Sequence, residues 1–204
     1  MTSRYAQLLF TEEVQRHQRM HGSRTAYARM AASAEDADRL GPEEMMFVSS
    51  VDTFFIASAG STGWPYVQHR GGPVGFLQAL DDSTLGFADF RGNRQYITTG
   101  NLDADNRVSL LLIDYPSQTR LKIAGWARPV ASEPHPDIAE RLRPREYRAI
   151  VERLILIKVE AYDWNCPQHI VPRYSMEELR PAVESLQQRV AHLERENAEL
   201  RRQR

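Results

Sequence analysis

The sequence predicts a mainly β domain with flanking helices, built as a small closed or half-closed antiparallel barrel and followed by a C-terminal coiled-coil helix. Three observations predict it. Short runs rich in β-branched and aromatic residues recur between turn signals from Phe54 to Tyr162. Their short, turn-rich spacing suits antiparallel strands better than a doubly wound parallel sheet. Beyond them, Leu179, Leu186, Leu193 and Leu200 recur seven apart. The expected boundaries are a helical arm over 1–46, the barrel over 47–174 and the terminal helix over 175–204.

Composition narrows the classes of function. The 204 residues suit one domain with appendages, and 42% hydrophobic content is ordinary for a soluble protein. A net charge of -1 argues against bulk attraction to nucleic acid. One cysteine leaves no disulfide framework and no thiolate metal cluster within one chain. No secretory signal or long apolar run is visible, so a cytoplasmic protein without a membrane partner is expected.

In the arm, Thr11 can cap a helix whose first turn carries Glu12 and Glu13. A second helix is expected from Thr25 to Leu40, with Ala26, Met30, Ala34 and Leu40 on one side. Gly41-Pro42 stops it, and Pro42 starts a short helix into Met45, Met46 and Phe47. His17 and His21 share a helical face, either a weak metal pair or a solvated surface.

The strands follow in order. Phe54–Ala59 ends in the tight connection Gly60–Gly63, and Pro65 opens a second strand through Arg70. Phe76–Leu80 and Thr84–Phe90 flank an Asp81-Asp82-Ser83 turn. Val108–Tyr115, Leu121–Val130 and Leu154–Tyr162 complete the set, the last with Ile155, Ile157 and Val159 on one side. Between strands, Gln95–Gly100 reads as a short helix, with Asn93, Arg94 and Gln95 at its first turn. Pro134–Val151 reads as helix interrupted near Pro144, with Glu140, Arg141, Arg143, Arg145 and Glu146 facing solvent.

Two polar knots sit at strand edges: His69-Arg70-Gly71-Gly72 and Arg91-Gly92-Asn93-Arg94-Gln95. Glycines permit close backbone approach, and arginines give planar, multi-donor contacts to phosphate or carboxylate. The alternative is plain turns with solvated arginines. Amide groups at a helix start beside Arg94 would hold a phosphate well.

Four stretches together resemble the pyridoxamine 5'-phosphate oxidase-like family of FMN-binding split barrels, over about Met46–Tyr174. They are Phe54–Ser58 with Gly63–Val67; Gln68–Pro73 with Gly75-Phe76; Phe87–Gln95 with Asn101-Leu102 and Arg107–Asp114; and Leu121–Ala127. The resemblance implies a homodimer with FMN at the subunit interface. It implies Gln68, His69 and Arg70 beside the flavin, and Asn93-Arg94-Gln95 as phosphate clamp where the oxidases carry Ser-Arg-Lys. Arg91 or Arg70 would restore the charge lost with that lysine. Arg120 stands where the oxidases present a glutamine to the ring. Trp164 either caps a flavin of the partner subunit or is a core residue. The oxidases' substrate segment, rich in arginine and histidine, is not matched by residues 162–174, so vitamin B6 oxidation is not expected. Cys166, followed by Pro167, forms no oriented triad with His169 and is read as structural.

The tail starts with a capping box, Ser175 with Glu178. Leucines at d alternate with Val183, Val190 and Asn197 at a, the pattern of a parallel two-stranded coiled coil. Arg189 faces Glu194 of a partner, and Glu196 faces Arg201. The alternative is a helix lying on its own barrel, which needs a wider apolar stripe. No dense basic region precedes the tail, so zipper-type DNA binding is not expected.

The function expected is an FMN-binding oxidoreductase acting on a small-molecule substrate or electron donor. His69 beside the ring would steady a reduced flavin. A GxGxxG dinucleotide motif is absent. The alternative is a non-catalytic flavin- or haem-binding dimer serving as sensor or carrier.

Overall fold

The computed structural model describes residues 3–31, 36–144, 146–164 and 168–203. Seven strands form one antiparallel sheet: β1 (Thr53–Ala59), β2 (Pro65–Gly71), β3 (Leu77–Asp81), β4 (Thr84–Phe90), β5 (Arg107–Asp114), β6 (Thr119–Val130) and β7 (Val151–Trp164). Their order across the sheet is β2-β1-β5-β6-β7-β4-β3. Among the described residues, β2 pairs with β1 alone and β3 with β4 alone. The barrel is therefore half-closed, and side chains link β2 to β4, Arg70 reaching Asp89.

The core explains the curl. Phe54 of β1 stacks on Phe76 at 5.6 Å and meets the edge of Phe87, from β4, at 5.3 Å. Residues from opposite ends of the strand order thus share one cluster with Ile56, Leu110, Leu112, Ile123 and Ile157. Burial of these side chains contributes about 1.5–3 kcal/mol each relative to exposure. β7 is buried on both faces. Ile155, Ile157 and Val159 join that cluster, while Leu154 and Leu156 pack with Ala88 and Leu142. Its sequence is accordingly apolar without a break over Leu154–Ile157, and the strand extends beyond the expected Leu154–Tyr162 at both ends.

The β6–β7 pairing shifts register between Ala124 and Gly125. A Cβ at Gly125 would run into the Lys158 carbonyl oxygen, a backbone atom that cannot swing away. Gly125→Ala is expected to destabilise the fold by about 2 kcal/mol, the scale of overpacking a fitted site. Urea unfolding at matched m-value checks it; an unchanged midpoint would mean that the bulge relaxes freely.

The helices are α1 (Arg4–Leu9), α2 (Glu12–Met20), α3 (Arg24–Ala28), α4 (Pro42–Ser50), α5 (Ile97–Ala104), α6 (Pro136–Leu142) and α7 (Met176–Arg202). Thr11 caps α2 and Pro42 stands at the first position of α4, as expected. α1 is an addition: Ser3 caps it, and Arg4 binds Glu160 of β7. The helix expected from Thr25 to Leu40 is corrected to α3 alone, and Ala34 lies outside the described residues. Tertiary partners capture the later backbone: Asp38 N–H donates to Glu160 O at 3.0 Å, and Leu40 N–H to Asp82 O at 2.7 Å.

The helix expected from Gln95 to Gly100 is corrected to α5, which starts at Ile97. Arg94 and Tyr96 have φ of 61° and 54°, left-handed values that a right-handed helix cannot incorporate. Asn93 Oδ1 accepts from Gln95 N–H at 3.2 Å, closing a local turn instead. The expected Pro134–Val151 helix is reduced to α6. Arg143 leaves it at ψ 116°, the extended geometry favoured before Pro144, and Arg145 lies outside the described residues. Arg141 does not simply face solvent: it donates to the carbonyl oxygens of Leu80 and Ala79.

The chain divides into two compact units, Met1–Asp114 with Thr119–Pro167, and Tyr115–Gln118 with Gln168–Arg204. In the second, Gln118 donates to Ile170 O at 2.6 Å, and the Arg173 guanidinium lies 4.9 Å from the Tyr115 ring centre. α7 opens with the expected capping box, Ser175 Oγ accepting from Glu178 N–H and Glu178 Oε2 from Ser175 N–H. Leu179, Val183, Leu186, Val190, Leu193 and Leu200 are all exposed.

Candidate functional site

Beside edge strand β2, one cleft is lined by the guanidinium groups of Arg70 and Arg94 and the carboxylates of Asp89 and Glu152, with Arg91 and Arg153 bound behind those carboxylates. β2 alternates, so Gln68 and Arg70 turn inward while His69 turns outward. β4 ends with Asp89 buried, opposite Arg153 of β7 in register. The loop after β4 carries Asn93, Arg94 and Gln95. The cleft measures about 250 Å³, and its wall includes Gln68, Arg70, Asp89, Asn93, Arg94 and Gln95.

Arg70 links β2 to β4. Its Nη1 is an ion-pair partner of Asp89 Oδ1, its guanidinium lies 5.8 Å from the Phe87 ring centre, and its Nε is buried without a partner among the described residues. An unpaired buried N–H costs on the order of 1–3 kcal/mol. Arg153 Nε stands 3.6 Å from Asp89 Oδ2, and its Nη2 is 3.1 Å from Glu152 Oε2. Arg91 Nε binds Glu152 Oε1 at 3.0 Å. Arg94 has no carboxylate partner among the described residues; its Nε donates to the Tyr96 hydroxyl at 3.1 Å, which donates to Glu152 at 3.3 Å. At the cleft floor Thr98 donates to Gln68 Oε1 at 2.6 Å.

Burial pushes the Asp89 carboxyl above its ordinary value, and the charges of Arg70 and Arg153 do not pull it fully back. Burial also acts to raise Glu152, but hydrogen bonds from Arg91 and Tyr96 and the charges of Arg153 and Arg91 outweigh it and leave that carboxyl lowered. Of the charged groups that line the cleft, Arg70 and Arg94 are matched in number by Asp89 and Glu152, while Arg91 and Arg153 stand behind as partners of those carboxylates. Arg94, with no carboxylate partner among the described residues, retains donors at the cleft wall.

The other site residues named from sequence lie elsewhere. Arg91 reaches the cleft through Glu152. His69 faces away, within hydrogen-bond distance of Thr53 Oγ1 and edge-on to Phe55. Arg120 and Trp164 sit at the opposite end of the β6–β7 ladder. Arg120 Nε is buried without a partner among the described residues. Trp164 Nε1 donates to Glu44 Oε1 at 2.7 Å, and its ring meets Phe47 edge-on at 4.9 Å. Asn165, Cys166 and Pro167 lie outside the described residues. No group of three metal-ligating side chains occurs among the described residues, His17 and His21 included. No described helix is long and apolar enough to cross a membrane.

Sequence reasoning missed Asp89, Tyr96, Thr98, Glu152 and Arg153. A signal existed for two places. Asp89 interrupts the apolar run Leu85–Phe90, and Glu152-Arg153 opens another; a charge on an inward strand position requires a partner.

A family model described as pyridoxamine 5'-phosphate oxidase matches residues 40–171. No curated protein matches the chain. Among solved structures, HupZ of Group A Streptococcus is 14% identical, with 66% of this chain and 100% of that one covered and a TM-score of 0.48. An FMN-binding protein of Syntrophomonas wolfei is 12% identical, covering 72% of this chain and 97% of that one, at a TM-score of 0.43. HutZ, the heme storage protein of Vibrio cholerae, is 17% identical, covering 61% of this chain and 94% of that one, at a TM-score of 0.39.

Proposed function

Because the chain belongs to the pyridoxamine 5'-phosphate oxidase family, we propose that it is an FMN-binding flavoprotein and a small-molecule oxidoreductase. The observation that carries the reading is the cleft lined by Arg70 and Arg94, in which Arg94 has no carboxylate partner and Arg70 Nε is buried without a partner among the described residues. Arg94 and Arg70 would hold the phosphate, with Asn93 and Gln95 shaping the turn and Gln68 at the floor. Arg91 would act by holding Glu152 away from the anion. The bound isoalloxazine would carry the electrons, while the protein binds, orients and excludes water.

We place this site between two subunits of a homodimer. At about 250 Å³ the cleft falls below the roughly 300–1,000 Å³ of whole-ligand pockets, so one chain accommodates the phosphate end only. Arg153 and Trp164 are roughly 36 Å apart along β7 at about 3.3 Å per residue. One flavin meets both the cleft and the Arg120–Trp164 end only if they come from different subunits. His69, on the outer face of β2 beside Phe55, then belongs to the subunit interface rather than to its own chain's cleft.

The exposed stripe of α7 is the second contact of this dimer, pairing in parallel with its copy through the a and d positions, with Asn197 fixing register. Truncation after Tyr174 is expected to leave a dimer that retains FMN but dissociates at higher concentration than the full chain. Light scattering across a dilution series checks it. A flavin-bound monomer would overturn the shared site, and unchanged dissociation would return α7 to a surface helix.

The absorption spectrum of the purified protein tests the function. Twin visible bands of bound flavin, followed by bleaching and reoxidation with a chemical reductant and air, are expected. A single strong haem band would favour the non-catalytic carrier, and no band after reconstitution with FMN would overturn the reading.

A further inference from the structure

The cleft contains a feature that a plain phosphate clamp does not require: a buried carboxylate on its wall. Asp89 is 6% exposed and lines the same recess as the arginines. It is paired with Arg70, which lines the recess, so it shares that guanidinium with any anion that enters, and Arg153 stands 3.6 Å from its other oxygen. The groups around it can be named from each packed element. β2 contributes Arg70, and β7 contributes Arg153 and Glu152. The following loop contributes Arg91, Arg94 and Tyr96, all directed to Glu152 or to one another. From α6, Arg141 is engaged on the carbonyl oxygens of β3.

Two anions cannot both draw fully on the same guanidinium group in a partly dry recess. The strain is relieved if one proton enters with the ligand, because a carboxylate and a phosphate oxygen then share a hydrogen bond instead of repelling. We infer that Asp89 is a specificity-determining residue of the cleft: it makes the site take a phosphate monoester together with one proton, held between the Asp89 carboxylate and the anion. The inference rests on the reading that the cleft holds the FMN phosphate. It adds a selection that the arginines alone cannot make. Sulfate carries no exchangeable proton near neutral pH, so it is admitted only at the cost of protonating Asp89 outright. A phosphate monoester, with a second pKa near 6, shares its own.

The elevated carboxyl of free Asp89 agrees in direction, since part of the rise needed on binding is already present. Neutralising Arg70 with a ligand raises it further. Binding therefore takes up protons, and affinity falls as the pH rises through the bound-state pKa, by up to about tenfold per pH unit. Titration of the phosphate itself works in the opposite sense, since the dianion prefers the arginines at higher pH. The two are separated by a variant. Asp89→Asn keeps the shape of the side chain and removes the charge.

The test is calorimetric titration of the full-length protein with FMN at neutral pH in buffers of differing ionisation enthalpy, with inorganic phosphate and sulfate as competitors. Wild type is expected to take up close to one proton per FMN and to be displaced by phosphate at concentrations about tenfold lower than by sulfate. Riboflavin, lacking the phosphate, should bind without that uptake. Asp89→Asn should bind FMN more tightly, without uptake, and with phosphate and sulfate equal as competitors. The proton count on wild type stands even if the variant does not fold. FMN binding without uptake and without discrimination overturns the role of Asp89 and leaves the phosphate clamp intact. No FMN binding, or binding equal to riboflavin, overturns both.

Discussion

Arg70→Ala is expected to lower the stability of the fold by about 3 kcal/mol at neutral pH, because it leaves the Asp89 carboxylate buried with only Arg153 nearby. It also removes the side chain that ties edge strand β2 to β4. The loss should depend on pH with a definite sign. Asp89 already has a folded-state pKa above its ordinary value, so stability declines as the pH rises from the ordinary carboxylate range through that raised pKa. Without Arg70 the folded-state pKa climbs further. The deficit of the variant should therefore be largest at neutral pH and shrink as the pH falls below the ordinary carboxylate value of about 3.9, where the carboxyl becomes protonated in the folded and the unfolded state alike. Thermal melts of both proteins across that range measure it. A deficit independent of pH would show that lost packing on Phe87, and not the stranded carboxylate, accounts for the effect.

Arg94→Ala is expected to weaken FMN about 10- to 100-fold, the scale of a charged hydrogen bond to a dianion, while leaving riboflavin within about twofold. Arg94 is exposed and bonded only to the Tyr96 hydroxyl, so its removal strands no buried group and should not alter the melt of the unliganded protein. Its left-handed backbone even makes alanine a fair test, since neither residue is favoured there. Fluorescence quenching of both flavins decides the matter. Equal weakening of FMN and riboflavin would place the phosphate elsewhere. The contrast with Arg70 would separate two contributions within one cleft: loss of Arg70 is read in the stability of the fold, and loss of Arg94 in ligand affinity alone.

The strands were legible from sequence because local signals agree with the fold. Thr84–Phe90 is found where its apolar run and the preceding turn place it, and Pro65 opens β2. The capping residues Thr11 and Ser175 and the helix-opening Pro42 are equally local, each depending on backbone groups within a turn. The two polar knots were also visible, and five of their residues meet at one cleft.

What only the tertiary structure decided were the relations between distant strands. β2 and β4 lie at opposite sides of the strand order, so no periodicity announces that Arg70 reaches Asp89. Glu152 and Arg153 reach the cleft because β7 pairs with β4, a contact between residues far apart in the chain. The same pairing sends Trp164 to the far end of the sheet. A strand pattern tells which face a side chain takes, as it does for His69 against Arg70. It carries no record of which strand will lie beside it, because that choice is made by hydrogen-bond register and shared core volume, neither of which is local.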